Sequence, residues 1–356
     1  MSDLSEWAKS EEPVASPQEI RDLQRRNDAL ERALDRYRSG TRIIQETLKE
    51  IFSTPVKLEA PPRPAISRKK EKEIAVLHIS DTQLGKWTET YSMKVARKRL
   101  LRLAEKTVRI TELRRNSAAV DEIHVYLGGD LVEGEDIFPH QAHLITAPLL
   151  EQAVREGPQI FVEVILYLLR HFPKVRVLCV PGNHGRNSKQ AHPATNWDTV
   201  CADFIRCALL GTEDHPRKEF AGRLEIEVST TFYLIDRLPG GWGNLLVHGH
   251  QIRGGFAGFP FYGTGRKMGG WADSIDEAWD YLWHGHFHTY GSLVINHRLW
   301  LANGTTESDN EFALEQIASR NQPCQRLSFF NSEKGLIADH QVFLEDRVPQ
   351  LQRFRG

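Results

Sequence analysis

The chain has 356 residues, 40% of them hydrophobic and 26% charged, with a formal net charge of −1. That leaves room for one large domain with a real core, or for a domain plus an accessory segment, and it excludes a global field for nucleic acid, so any attraction for phosphate must be local. No apolar run is long enough to span a membrane, the polar start MSDLSEWAKSEEP argues against a signal peptide, and Cys179, Cys201, Cys207 and Cys324 lack zinc-type pairing and read as reduced thiols of a cytoplasmic protein.

Residues 1–52 read as an N-terminal helical segment. Ile20, Leu23, Asn27, Leu30, Leu34, Tyr37, Thr41, Ile44, Leu48 and Ile51 alternate at spacings of three and four, an a/d seam interrupted by Gly40. Asn27 falls at an a position, where a buried polar residue selects a dimer and its register, and Arg26 and Glu31 would attract across a parallel pair. A homodimer through this coiled coil is expected; the alternative is an amphipathic helix packed on its own domain. Residues 53–72, Pro-rich and then basic, read as a linker. From 73 to 356 short apolar runs recur (IAVLHI, IHVYL, VRVLCV, NLLVHG, SLVIN, RLWLA, RLSFF), with helical stretches at 93–115 and 146–171. This is an α/β domain with a strand-rich second half.

Several of these runs close in the same way. IAVLHIS ends at Asp81, IHVYLGG at Asp130, VRVLCVPG at Asn183 and His184, NLLV at His248 followed by Gly249 and His250, and YLW at His284, Gly285, His286, Phe287 and His288. In an open α/β sheet, ligands bind outside the carboxyl ends of the strands, and divalent metals take oxygen and imidazole donors of these kinds. A lone His or an isolated GGD is as readily a surface residue or a turn. Five runs that each deliver such a donor at the same place are hard to assign to chance.

In order, SDTQ, GGD, GNHG, VHGH and GHFH resemble the motif series of the calcineurin-like metallophosphoesterases: D-x-H, G-D, G-N-H-[D/E], H and G-H-x-H. LANGT, residues 301–305, looks like a counterpart of the family's Asn-Pro-Gly-Ser stretch without its Pro. The resemblance implies a four-layer αββα sandwich and two divalent metals; the metal expected for this chain is Mn2+, with Mg2+, Zn2+ or Fe2+ as alternatives. It implies that Asp81, Gln83, Asp130 and His288 hold one ion and that Asp130, Asn183, His248 and His286 hold the other, with Asp130 bridging. His184 would not ligate; it would protonate the leaving oxygen or stabilise its charge. Two metals about 4 Å apart suit in-line displacement at phosphorus, and their excess charge would trap phosphate.

Two positions depart from the family. Gly185 replaces the acid after G-N-H, and Gln83 replaces the His of D-x-H. A Gln carbonyl is a neutral oxygen donor and a poorer ligand than imidazole for zinc or iron, which tilts the first position toward Mn2+ or Mg2+. Alternatively Gln83 binds only a metal-bound water, or the site is degenerate.

The substrate is less legible. HISDTQLG, residues 78–85, resembles the opening motif of the SbcD-type repair nucleases. The helix at 93–115 carries Lys94, Arg97, Lys98, Arg99, Arg102, Lys106, Arg109, Arg114 and Arg115 against Glu105 and Glu112, a face for a nucleic-acid backbone or merely for solvent. A Gly-rich loop at 251–271 interleaves Phe256, Phe259, Phe261, Tyr262 and Trp271 with Arg253, Arg266 and Lys267, a pattern suited to stacking bases and neutralising phosphates. With Arg186, these cations are the candidate substrate contacts; His140 and His143 are candidates for the cleft wall. The expectation is a Mn2+-dependent phosphodiesterase acting on nucleic acid, DNA favoured, with no membrane association. A phosphatase or phosphodiesterase for small nucleotides or phosphoproteins is the alternative, and a non-catalytic phosphate-binding scaffold the third reading.

Overall fold

The computed structural model describes residues 18, 21–28, 58–69, 71–139, 141–189, 191–212, 215–253, 260–308 and 322–346. The chain divides into two units, Met1–Leu58 and Glu59–Gly356. In the first, residues 21–28 are helical and exposed, and they include Leu23 and Asn27 of the heptad. Ile20 and the seam from Leu30 to Ile51 lie outside the described residues. Residues 58–69 of the expected linker are irregular, Ser67 N–H donates to Asp121 at 3.0 Å, and the last linker residue, Lys72, already belongs to the first strand.

The second unit is built on two sheets. The run EIAVLHI forms β1 (Lys72–Ile79), buried at every position after Lys72, as expected of a parallel strand covered on both faces. It continues in parallel through β2 (Ala119–Leu127), β3 (Lys174–Cys179) and β4 (Leu224–Val228). On its other edge β1 pairs antiparallel with the hairpin of β10 (Cys324–Asn331) and β11 (Gly335–Phe343). The second sheet has the order β5 (Tyr233–Arg237), β6 (Gly243–Val247), β7 (Tyr281–His284), β9 (Arg298–Ala302), β8 (Gly291–Ile295), with β6, β7 and β9 parallel.

The sheets face each other across one core. Ile74, Val76, Tyr126 and Leu178 of the first meet Leu246, Trp283 and Leu301 of the second. Outside the first sheet lie α1 (Met93–Arg114), α2 (Leu149–Ala153), α3 (Glu156–His171) and α4 (Trp197–Leu210), with α1 against β11, α3 against β3 and α4 against β4. The side chain of Ser92 caps α1, accepting from Val95 N–H at 3.4 Å, and Ala96, Leu100, Leu103, Ala104 and Thr107 form the buried stripe at helical spacing. Outside the second sheet lies α5 (Phe261–Ser274), whose Met268 and Trp271 pack on Leu245, Leu282 and Trp300. The layers are therefore αββα.

α5 is where the structure departs from the sequence reading. Glycines at 263, 265, 269 and 270 suggested a loop, yet the segment is helical from Phe261. Burial of Thr264, Met268 and Trp271 on one face overrides the cost of about 1 kcal/mol per interior glycine. Gly263 is required by its surroundings: a Cβ there would come within 1.8 Å of the Arg253 carbonyl oxygen. Trp271 is thus a core residue, while Phe256 and Phe259 lie outside the described residues.

Candidate metal centre and active site

The carboxyl ends of β1, β2 and β3 in one sheet and of β6 and β7 in the other deliver their polar residues to a single region. The backbone reverses there, with φ positive at Asp81 (53°), Gln83 (40°), Asp130 (51°), His286 (69°) and His288 (53°). Asp and His tolerate this conformation better than most residues, and Gln less well. Neighbouring strands hold it in place: Asp81 N–H donates to Gly129 O at 3.1 Å and Gln83 N–H to Asp130 O at 2.9 Å. Gly182 permits the close approach of the next strand end, since a Cβ there would lie 2.1 Å from Asp130 Oδ1.

Asp198, in the first turn of α4, ties these strand ends together. Its Oδ2 accepts the N–H groups of Asp130 (2.8 Å) and Gly182 (2.7 Å), and its Oδ1 those of Leu131 (2.9 Å) and Val132 (3.1 Å). Burial and the neighbouring charge of Asp130 push its pKa up to about 6 despite these donors. Asp130 is anchored in turn. Its Oδ1 accepts from Asn183 N–H (2.6 Å) and His184 N–H (2.8 Å), so Oδ2 is the oxygen left to face the imidazoles.

That oxygen lies 2.9 Å from His248 Nε2, and Asn183 Oδ1 lies 3.0 Å from the same nitrogen. His248 spends Nδ1–H on Gly128 O at 2.9 Å, which in the neutral ring leaves the lone pair on Nε2. Three electron-pair donors therefore converge, and a cation satisfies all of them. Asp130, His248 and His286 each bring one ligand atom, all within 4.8 Å of one another. Burial and His248 push His286 down to about 3, so it too is an electron-pair donor. Burial also lowers His248, but Asp130 and Asp81 outweigh it and hold that ring up at about 9, the proton standing where a metal would. Asp130, Asn183, His248 and His286 fit a divalent metal ion.

The chain is similar to several solved structures. An archaeal phosphodiesterase is 10% identical over 76% of this chain and 99% of its own, with a TM-score of 0.35. Vacuolar protein sorting 29 from Cryptosporidium parvum is 14% identical over 77% and 100%, with a TM-score of 0.36. A Pyrococcus horikoshii protein is 10% identical over 79% and 92%, with a TM-score of 0.39. No protein-family model matches the chain, and no curated protein is similar to it. Likeness at these values says nothing of substrate, and the chemistry rests on the side chains themselves.

The other expected ligands are engaged with protein groups. Both oxygens of Asp81 take His286 N–H, at 3.0 and 3.1 Å, and Oδ1 lies 3.2 Å from His288 Nε2. His288 Nδ1 is 2.8 Å from Glu307 Oε1, and the other oxygen of Glu307 pairs with Lys86. Lys86 also donates to Gln83 Oε1 at 3.1 Å. Burial would lower His288, but Asp81 and Glu307 outweigh it and hold the ring up at about 10. Lys86 is held up likewise, its burial offset by Glu307 and Glu133.

His184 is partly exposed, its side chain 18% open to solvent. Nδ1 faces Glu133, 3.2 Å from Oε2, and Nε2 faces the Gln83 amide nitrogen at 3.2 Å and Asp130 Oδ2 at 3.9 Å. Burial lowers its pKa, but Asp130 and Glu133 outweigh this and raise it. Arg186 is fixed beside the ligand set by its Nε, which donates to Asn183 O at 3.0 Å. Arg253 is exposed three residues past His250. Arg266 is exposed on α5 and Lys267 lies over the Trp271 ring, 5.6 Å from its centroid; no hydrogen bond or ion pair among the described residues links either to the ligands. His143 is exposed and His140 lies outside the described residues. Gln141 takes the place expected of these two, its amide reaching the Glu133 carbonyl and His184 Nδ1.

Lys86, Glu133, Gln141, Asp198 and Glu307 are site residues that the sequence reading missed. Glu307 had a signal, because it follows the end of β9 as the other donors follow their strands. Lys86 is the residue directly after HISDTQLG, the motif that contains Gln83. His250, two residues past His248, has its Nδ1 buried without a hydrogen-bond partner among the described residues, and its ring lies 5.6 Å from that of His248.

Proposed function

We propose that the chain is a metal-dependent phosphodiesterase. The observation that carries the reading is the convergence of Asp130 Oδ2, Asn183 Oδ1 and His248 Nε2 beside the partly exposed His184 ring. A divalent ion held by Asp130, Asn183, His248 and His286 supplies Lewis acidity toward a phosphoryl oxygen and lowers the pKa of water.

The chain's own residues do the rest. Asp198 fixes the strand ends, so the ligands are in place before substrate arrives. Arg186 presents a guanidinium, held by the Asn183 carbonyl, for a phosphate oxygen. His184 turns Nε2 toward the reacting region, and its proton goes to the leaving oxygen as the ester bond breaks. Glu133 at Nδ1 supports the imidazolium before that transfer and holds the ring's orientation after it.

For the substrate we propose nucleic acid, DNA favoured, on the cations Arg186, Arg253, Arg266 and Lys267 and the exposed aromatics Phe261 and Tyr262. α1 supports this less than its composition suggested. Arg97 pairs with Glu163, Arg99 with Glu345, Arg102 with Asp346, Arg114 with Glu73 and Arg115 with Glu112. That pairing favours a second reading, a small nucleotide diester that engages only Arg186.

The deciding experiment is a panel of single- and double-stranded DNA, RNA, cyclic nucleotides, a chromogenic diester and a monoester, each with Mn2+, Mg2+, Zn2+ or EDTA. Cleavage of DNA with Mn2+, abolished by EDTA, is expected. Turnover of small diesters alone selects the second reading, and no turnover of any ester removes both.

A further inference from the structure

We propose that this centre holds one divalent ion, and that Lys86 supplies the second positive charge from within the protein. The inference rests on the reading that Asp130, Asn183, His248 and His286 bind a metal. It concerns the other position, where the residues do not fit one.

A continuous chain of contacts runs Gln83–Lys86–Glu307–His288–Asp81. It consumes three of the four groups from which the family resemblance would build a first metal site. Lys86 is nearly buried, its side chain 11% exposed, and Glu307 is 1% exposed. An ammonium can only donate, so the amide of Gln83 must turn its oxygen to Lys86. Its NH2 then donates to the lone pair of His184 Nε2, at 3.2 Å, a bond of the neutral ring that opens when Nε2 takes up the proton it gives to the leaving oxygen.

To ligate a metal, Gln83 would have to share that oxygen between the metal and a buried ammonium, or withdraw it and leave the buried charge a hydrogen bond short. A metal there would also face the Lys86 charge at close range. The fourth group, Asp130, has Oδ1 committed to two backbone N–H groups and Oδ2 turned to His248.

The contrast with the other position is chemical. There Asp130 Oδ2, Asn183 Oδ1 and His248 Nε2 converge with no lysine or arginine bonded to them among the described residues; here the protein has already provided a lysine. A Lys so placed does in part what a second ion would do, offsetting the Asp81 and Glu307 charges close to the phosphate-binding region. Gln83, pinned by Lys86, becomes a positioning residue for His184.

Metal content decides the matter without reference to turnover. The full-length chain, saturated with Mn2+ and desalted, is expected to hold one ion per chain by elemental analysis, with the six-line electron paramagnetic resonance spectrum of an isolated Mn2+. Two ions per chain with an exchange-coupled spectrum would overturn this inference and leave the proposed function standing; no ion would overturn both.

Substitutions locate the ion. His248→Ala is expected to lose it and Asp81→Asn to keep it, and the reverse pattern would overturn the assignment. The double substitution Lys86→Ala with Gln83→His is expected to raise the content to two ions. A content still at one would show that Lys86 and Gln83 are not what excludes the second.

Discussion

Asp198 Oδ2 accepts the backbone N–H of Asp130 at 2.8 Å, so one carboxylate positions the other without touching its side chain. Asp198→Ala removes the acceptor for four N–H groups in two strand-end loops. Each buried donor left unmet costs about 1–3 kcal/mol, so a loss on the order of 3 kcal/mol or more is expected. Calorimetry should show a melting point lowered by roughly 6 °C or more, with weaker Mn2+ binding. An unchanged melting point would mean that water replaces the carboxylate and that Asp198 organises nothing.

His184 and His248 should separate chemistry from metal binding. His184→Ala is expected to keep the metal and lower kcat by about 10²–10⁴-fold, the usual range for a general acid. His248→Ala is expected to lose both. Normal turnover by His184→Ala would remove this ring from the mechanism.

The cations sort by reach. Arg186, fixed to the Asn183 carbonyl, should matter for every diester, and Arg186→Ala is expected to lower kcat/KM about tenfold or more on small and long substrates alike. Arg266→Ala with Lys267→Ala should weaken only long DNA, and it should flatten the log–log salt dependence of binding by up to about 2. Equal losses on a small diester would place these two residues in the active site, against their position on α5.

A separate prediction concerns pH and stability. His124, 3% exposed, lies 2.5 Å from Asp236 Oδ2 through Nδ1 and 3.0 Å from Glu122 Oε1 through Nε2. Burial lowers its pKa, but bonds to Asp236 and Glu122 outweigh this and raise it. For Asp236, burial raises the pKa and His124 outweighs it, lowering it. The His contribution is therefore complete below about pH 6.5 and lost as pH rises through the raised value. The Asp contribution is complete above about pH 3.9 and lost as pH falls through the lowered value. In metal-free protein the melting-point gap between wild type and His124→Gln should be widest between those values and shrink toward pH 9. A gap that does not change from pH 6 to 9 would show that His124 is neutral in the fold.

How much of this the sequence carried follows from how local each feature is. Asp81, Asp130, Asn183, His184, His248, His286 and His288 each follow their own strand within a few residues, so reading where apolar runs end finds them. The α/β class was legible for a similar reason, since continuous apolar runs such as IAVL require cover on both faces, whereas the four layers were expected only from the family resemblance. Lys86–Glu307 and Asp198–Asp130 were not legible, because they join residues far apart in the chain and depend on which loop faces which. α5 was misread because four glycines outweighed, on paper, the stripe of Thr264, Met268 and Trp271 that decides its conformation.

The ligands come from both halves of the sandwich: Asp130 and Asn183 from the first sheet, His248 and His286 from the second. An ion bound by all four is therefore a rivet as well as a reagent. Its binding free energy adds to the cohesion of the sheets, about 2.7 kcal/mol when free metal stands at a hundred times Kd. Metal supply would then govern how long each copy lasts, and a chelated cell extract is expected to lose the protein to proteases faster than one supplied with a divalent metal.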